Sequence, residues 1–150
     1  MNRIQQLRFA RIISLVCLGV LIFLISLVFM NCILSVPSYD YLQVAIQVRD
    51  YVEAKSDGEK DHWQTPAETL RLKTGDCEDH ALLMMWEVKQ LYGVEGNLVV
   101  VRMLEYPGMY HAVVELDALY DPTRGIYFQD RCDILYRLDY DLAMWYSEST

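Results

Sequence analysis

The most apolar part of the sequence lies near the N-terminus, where residues 12–30 carry no charged side chain. A transmembrane helix needs about 20 predominantly apolar residues, so this pattern predicts one. Three arginines precede the run and no acidic residue occurs before Asp40, which predicts a cytoplasmic N-terminus by the positive-inside rule. The chain is therefore predicted to have three parts: a basic N-terminus (1–11), a transmembrane signal-anchor helix (12–34) and an exported domain (35–150).

A cleaved signal peptide is the alternative interpretation of the same segment. The apolar part of a signal peptide usually spans about 7–15 residues and ends at small residues. Here the run is longer, and Phe29, Met30 and Asn31 stand where small residues would be expected before Cys32. A retained anchor is therefore favoured, while cleavage and lipid attachment at Cys32 stay open.

The second strong pattern predicts a buried helix from Cys77 to Tyr92, because apolar residues occur on nearly all sides of this stretch. Gly93 is a typical C-terminal stop. Asp76 is a candidate N-cap, with Asp79 placed three residues later to complete a capping box. The first turn of this helix therefore carries a thiol, and helix N-termini favour the thiolate.

Shorter patterns predict the remaining elements of the exported domain. Apolar residues at helical spacing predict an amphipathic helix over 39–55, and Thr65, Pro66 and Glu68 form a capping box that starts a helix ending near Leu72. Apolar and β-branched runs predict strands at 97–104, 110–116, 118–120 and 126–128, and a closing helix is predicted over 139–146. Helices followed by an antiparallel sheet define the class α+β.

Charge and cysteine content narrow the possible functions. All 21 acidic residues follow residue 34, so the exported domain is strongly acidic and should repel nucleic acid. Cys17 and Cys32 belong to the membrane segment or its edge, which leaves Cys77 and Cys132 in the exported part. A disulfide between these two stays possible in an oxidising compartment. The spacing of the cysteines matches no structural zinc site.

A catalytic thiol needs a base within hydrogen-bond reach and a third group that orients the base. Among the three histidines, His62 lies in a loop and His80 lies on the cysteine helix, pointing along it. His111 begins a strand after a turn, where it could face the N-terminus of that helix. Asp121, ten residues further on, is the natural orienting carboxylate.

His111 and Asp121 can lie on the same sheet face only if the hairpin that joins their strands has a suitable register. A two-residue turn at 117–118 would pair Val114 with Asp121 and place Asp121 on the sheet face opposite to His111. We therefore predict an irregularity between Glu115 and Leu119, either a turn centred near Leu116 or a β-bulge.

Three blocks of sequence carry a family resemblance: residues 63–70 (Trp-Gln-Thr-Pro-Ala-Glu-Thr-Leu), residues 74–81 (Thr-Gly-Asp-Cys-Glu-Asp-His-Ala), and residues 111–115 (His-Ala-Val-Val-Glu) with 120–123 (Tyr-Asp-Pro-Thr). Together they resemble the transglutaminase-like superfamily, most closely the bacterial transglutaminase-like cysteine proteinases, over roughly residues 40–130. The resemblance implies a papain-like core in which a helix carrying the cysteine packs on an antiparallel sheet. It implies Cys77 as nucleophile, His111 as base and Asp121 as orienting acid. Trp63 becomes a candidate for lining the site, or equally a core residue.

The carboxylates that flank Cys77 raise a question of charge. Asp76, Glu78 and Asp79 should raise the pKa of the thiol, and a bound cation would reverse that effect. Some bacterial relatives carry calcium at positions that match Asp76 and Glu78, so the resemblance implies a possible calcium site there. Helix capping and solvated acids are the simpler explanation.

The combined expectation is a membrane-anchored, extracytoplasmic cysteine peptidase or amide hydrolase that acts on a protein or peptide through a thioester. Two alternatives remain. The same three residues would serve transglutaminase-type acyl transfer to an amine, and an idle Cys77, for instance disulfide-bonded to Cys132, would leave a binding module.

Overall fold

The computed structural model describes residues 20–22, 39–56 and 62–149. The predicted membrane segment, residues 12–34, lies outside these ranges except for 20–22, which are helical. Within the described ranges, no helix has the length and apolar character needed to cross a membrane. A compact unit of the chain begins at Tyr39.

Four helices and seven strands make up the described part of this unit. The helices are α1 (Tyr41–Tyr51), α2 (Pro66–Leu72), α3 (Cys77–Tyr92) and α4 (Tyr140–Ser149). The strands are β1 (Glu53–Ala54), β2 (Thr74–Gly75), β3 (Asn97–Met103), β4 (Tyr110–Glu115), β5 (Leu119–Asp121), β6 (Ile126–Tyr127) and β7 (Cys132–Leu138).

The predicted α+β class is confirmed: α3, with Cys77 at its first position, packs on an antiparallel sheet in the order β6-β5-β4-β3-β7. Side chains on one face of β3, β4 and β5 meet α1 and α3 in the main core. Its fully buried members include Val44, Val48, Leu82, Leu83, Met84, Met85, Val88, Leu98 and Val114. Alternate residues on the other face form a second cluster of Val99, Val101, Met103, Val113 and Phe128. The sheet is thus apolar on both faces.

Local signals fix both ends of α3. The backbone N–H of Asp76 donates to Asp79 Oδ2 at 3.1 Å, as the capping box requires. Gly75 passes so close to this side chain that a Cβ there would lie 2.7 Å from the Cβ of Asp79, so only glycine fits. Gly93 ends the helix in the left-handed region at φ 68°. The predicted bounds of the cysteine helix are confirmed.

The first helix is shorter than predicted. It ends at Tyr51 rather than Lys55, and β1 follows it directly. The cause is tertiary pairing: β1 runs parallel to β2, with Glu53 N–H donating to Lys73 O at 2.9 Å and Lys55 N–H to Gly75 O at 2.8 Å. This short pairing ties the end of α1 to the residues just before Cys77.

Strand β7 had no counterpart in the sequence-based prediction. It pairs with β3, but the register shifts between Val100 and Val101. Val100 lies opposite Tyr136 while Val101 lies opposite Ile134, so Leu135 is an extra residue in a β-bulge. A bulge breaks the strict apolar–polar alternation by which a strand is recognised in a sequence.

The buried Asp79 carboxylate should be a major source of stability near the site. It is inaccessible to solvent and accepts from Gln64 N–H at 2.7 Å as well as from Asp76 N–H. Asp79→Ala leaves both donors without this acceptor, so we expect a loss of about 2–4 kcal/mol in the free energy of unfolding. Urea unfolding followed by tryptophan fluorescence measures it.

Asp50→Ala is the matched control for this measurement. Asp50 is exposed and pairs only across the surface with Arg49 in the described structure, so its removal should cost less than about 1 kcal/mol. Equal losses in the two variants would contradict the role assigned to Asp79.

Candidate active site

The register of the β4–β5 hairpin decides where His111 and Asp121 point. Val114 pairs with Tyr120 and Glu115 with Leu119, so the connection is a three-residue loop. Asp121 therefore falls opposite Val113, two residues from His111, and both site residues share one sheet face. The predicted irregularity between Glu115 and Leu119 is confirmed, although the loop centres on residue 117 rather than on Leu116.

His111 and Asp121 meet directly. His111 Nε2 lies 2.9 Å from Asp121 Oδ2, and the carboxylate is fully buried whereas the imidazole is partly exposed. A bond through Nε2 leaves Nδ1 as the ring nitrogen available for other groups. Burial alone would raise the pKa of Asp121, but hydrogen bonds from His111 and Arg124 outweigh it and hold that pKa below its usual value.

Arg124 is a site residue that the sequence reasoning missed. Its Nε donates to Asp121 Oδ2 and its backbone N–H donates to Oδ1 at 3.1 Å. The guanidinium also reaches Asp130 at 2.7 Å. The signal was present in the turn Asp121-Pro122-Thr123-Arg124-Gly125, because a turn brings its fourth residue back to its first. Arg124 thus helps to fix the carboxylate that orients His111.

Cys77 opens onto a cleft with a volume of about 380 Å³. The side of the cleft nearest α3 carries Cys77, Glu78 and Trp63, and the sheet supplies Val100, Tyr110, His111, Ala112, Leu135 and Tyr136. Helix α3 therefore brings the thiol of Cys77, and β4 brings His111, to the lining of one cleft. Trp63 lines this cleft and also packs against the main core and the ring of Tyr146, and its contribution to a substrate site stays a prediction.

The thiol itself is engaged with its neighbour along the helix. Cys77 Sγ donates to Glu78 Oε2 at 3.2 Å, and the hydrogen bonds of the described residues include none between the thiol and His111. Burial and the charge of Glu78 raise the pKa of the thiol strongly, and only the backbone N–H of Ala112 opposes them. The direction of this shift agrees with the effect expected of the flanking acids.

The other two histidines lie away from this chemistry. His80 is fully buried, with Nδ1 2.6 Å from Asp76 O and Nε2 3.2 Å from Val52 O, so it links the start of α3 to the end of α1. His62 lies 4.0 Å from Glu68 at the surface. Neither lines the cleft.

The proposed calcium ligands do not form a metal cluster in the described structure. The carboxylate of Glu78 accepts from the thiol, and both oxygens of Asp79 accept backbone N–H groups. Across the described ranges, no group of three or more potential ligands is arranged to hold a metal ion. Calcium at Asp76 and Glu78 therefore stays a prediction.

The two cysteines of the domain are both free thiols. Cys77 packs against the main core whereas Cys132, at the start of β7, packs against the cluster on the opposite face of the sheet. The disulfide that would have made Cys77 idle is not formed.

Comparison of the sequence with protein-family models and with curated proteins found no match.

Glu78→Gln should make the thiol more reactive. The substitution keeps the size of the side chain but removes the charge that raises the pKa of Cys77, so the pH dependence of alkylation should move to lower pH. The measurement is the rate of iodoacetamide modification of Cys77 between pH 6 and pH 10, resolved by peptide mass spectrometry.

Glu105→Gln, in the exposed turn after β3, is the matched control and should leave the profile unchanged. A rate in Glu78→Gln that is unchanged or lower at each pH would contradict the electrostatic role given to Glu78.

Proposed function

We propose that this protein is a membrane-anchored cysteine hydrolase that cleaves an amide bond of a protein or peptide. Cys77 is the nucleophile, His111 the base and Asp121 the orienting acid. The observation that carries the proposal is the hydrogen-bonded His111–Asp121 pair, whose histidine lines the same cleft as a thiol at the first position of a buried helix. A lone buried cysteine or a lone histidine would carry no such proposal.

The order of the elements supports a transglutaminase-like core. The cysteine helix comes first, and the antiparallel strands that follow it supply histidine and then aspartate. This is the arrangement that the three resembling sequence blocks imply. The family assignment remains part of the proposal, because it depends on those blocks and on the architecture together.

The proposed reaction uses the thiol of Cys77 and the imidazole of His111, which both line the cleft. The thiol proton passes to His111 Nδ1, and the Cys77 sulfur attacks the amide carbonyl. Imidazolium then protonates the leaving amine, so the C–N bond breaks and a thioester remains. Water, deprotonated by His111, attacks the thioester, which releases a carboxylic acid and restores the thiol. Asp121 stabilises the imidazolium in both steps, and the backbone N–H of Cys77 is placed to donate to the oxyanion.

The resting contact between Cys77 and Glu78 sets the starting point of this sequence. The thiol must exchange Glu78 for His111 before it can attack, since a neutral thiol is a poor nucleophile. Such a change of partner requires a rotation about the Cα–Cβ bond of Cys77. The hydrogen bond to Asp121 orients the imidazole ring that accepts this proton.

The membrane location belongs to the same proposal. Its support is the uncharged run 12–30, preceded by arginines and followed by every acidic residue of the chain. This topology places the N-terminus in the cytoplasm and the cleft outside it, in the periplasm or the extracellular space. Substrates would then be proteins or peptides of that compartment.

Thiol labelling of the full-length protein in membranes tests the catalytic assignment. Iodoacetamide should modify Cys77 rapidly near neutral pH, because His111 assists removal of the thiol proton. His111→Ala should slow modification at least tenfold. Asp121→Asn should slow it by a smaller factor, since it leaves the imidazole in place but removes the charge that stabilises imidazolium.

His62→Ala is the matched control, because His62 is a partly exposed histidine outside the cleft. It should react at the unmodified rate. Labelling that is slow in the unmodified protein, or the same in His111→Ala, would reject the hydrolase assignment in favour of a binding module. Peptide products that appear as amides when an amine is added, rather than as free acids, would instead indicate acyl transfer.

A further inference from the structure

The edge strand β7 presents apolar side chains to solvent beside the thiol. Ile134, Leu135 and Tyr136 are consecutive, and each is between 41% and 47% exposed. Contiguous apolar exposure of this kind on an edge strand risks aggregation and commonly marks a site of interaction. In the described structure β3 is the only strand that pairs with β7.

The bulge in β7 explains how two of these side chains reach the cleft. In a regular strand, consecutive residues point to opposite faces. Here Leu135 is the extra residue opposite the Val100–Val101 pair, and both Leu135 and Tyr136 line the cleft that holds Cys77. Ile134 pairs with Val101, whose side chain belongs to the opposite face of the sheet, and does not line the cleft.

Together the two side chains form one apolar wall. With Trp63 and Val100 they surround the apolar part of the cleft, while Glu78 and His111 lie at its reactive end. Bulges beside active sites commonly re-aim a side chain in this way.

The position of this wall sets the kind of substrate that can reach it. Cys77 opens beside Ala112 on β4, and β7 lies two strands away across β3. Two strand spacings amount to about 10 Å, whereas an extended polypeptide advances about 3.3 Å per residue. A group that contacts the wall while its amide is attacked therefore belongs to a residue about two or three positions from that amide.

We propose that Leu135 and Tyr136 are specificity-determining residues that receive an apolar side chain of an extended polypeptide, a few residues from the amide attacked by Cys77. This inference rests on the proposed hydrolase function and names its substrate class. A small amide would fill the reactive end of the cleft without reaching the wall.

Peptide chloromethyl ketones test this inference in the full-length protein. These probes alkylate a cysteine by displacing chloride, with formation of a thioether, and their peptide part occupies the substrate cleft. A set of acetylated alanine tetrapeptides carries leucine or serine at each position in turn. Leucine at one position should accelerate modification of Cys77 at least tenfold over serine, the scale of discrimination that an apolar pocket provides.

Leu135→Ala and Tyr136→Ala should each reduce that leucine preference at least threefold, where the preference is the ratio of the leucine rate to the serine rate within one variant. Ile134→Ala is the matched control, since it removes a similar, similarly exposed side chain of the same strand outside the cleft, and should keep the preference. Circular dichroism checks that the variants are folded, and the ratio within one variant cancels any change in the reactivity of the thiol.

The outcomes separate this inference from the function on which it rests. Two results would overturn the specificity role of Leu135 and Tyr136 and leave the hydrolase function in place. One is labelling that depends on His111 but shows no leucine preference at any position. The other is a leucine preference that survives both Leu135→Ala and Tyr136→Ala. An equal loss in Ile134→Ala also overturns that role. Iodoacetamide labelling that is independent of His111 overturns the hydrolase assignment, and the specificity proposal falls with it.

Discussion

The candidate site depends on one buried carboxylate. Removing a charge from water costs several kcal/mol unless donors replace the lost hydration. Asp121 is fully buried, and three donors meet it: the imidazole of His111 and the side chain and backbone of Arg124. Two of these donors belong to Arg124, in the turn after β5. The segment that follows Asp121 in sequence therefore supplies two of the three hydrogen bonds that replace the hydration of its carboxylate. His111 contributes the third, and its ring orientation is fixed in return.

The loop between β4 and β5 makes this meeting possible. The side-chain period of a strand is two, so a shift of one residue would have sent Asp121 into the opposite face of the sheet. The three-residue connection keeps it on the face of His111. A second constraint acts from the helical side, where the β1–β2 pairing and His80 hold the start of α3 against the end of α1. The thiol and the imidazole therefore come from elements that are each fixed independently.

The parts of the fold that could be predicted from sequence are those specified by neighbouring residues. The bounds of α3 follow from a capping box and a terminal glycine, and those of α2 from Thr65, Pro66 and Glu68. The early end of α1 could not be predicted, since it depends on pairing with Thr74 and Gly75, distant in sequence. The β-bulge at Leu135 could not be predicted for a similar reason, because a bulge is defined by the register of β7 against β3.

The same distinction applies to the site. Cys77, His111 and Asp121 could be proposed because a thiol nucleophile requires those residue types, and an irregularity in the hairpin could be deduced from the requirement that two of them meet. The role of Arg124 depends on where its side chain lies after the turn, which residue type alone does not determine. Exposure of Leu135 and Tyr136 likewise depends on β7 being an edge strand.

Three buried acidic residues, Asp79, Asp121 and Glu78, differ in the groups that their carboxylates contact. Asp79 is explained by the backbone N–H groups that it accepts, and Asp121 by His111 and Arg124. Glu78 differs, because its carboxylate accepts from the thiol itself. A helix N-terminus would otherwise favour the thiolate. The net effect raises the pKa of Cys77, because burial and Glu78 outweigh the hydrogen bond from the backbone of Ala112. Asp79 shows that an acidic residue can occupy this turn without contacting the sulfur. Because Glu78 does contact the sulfur, the charge state of the Cys77 thiol depends on whether its partner in the cleft is Glu78 or His111.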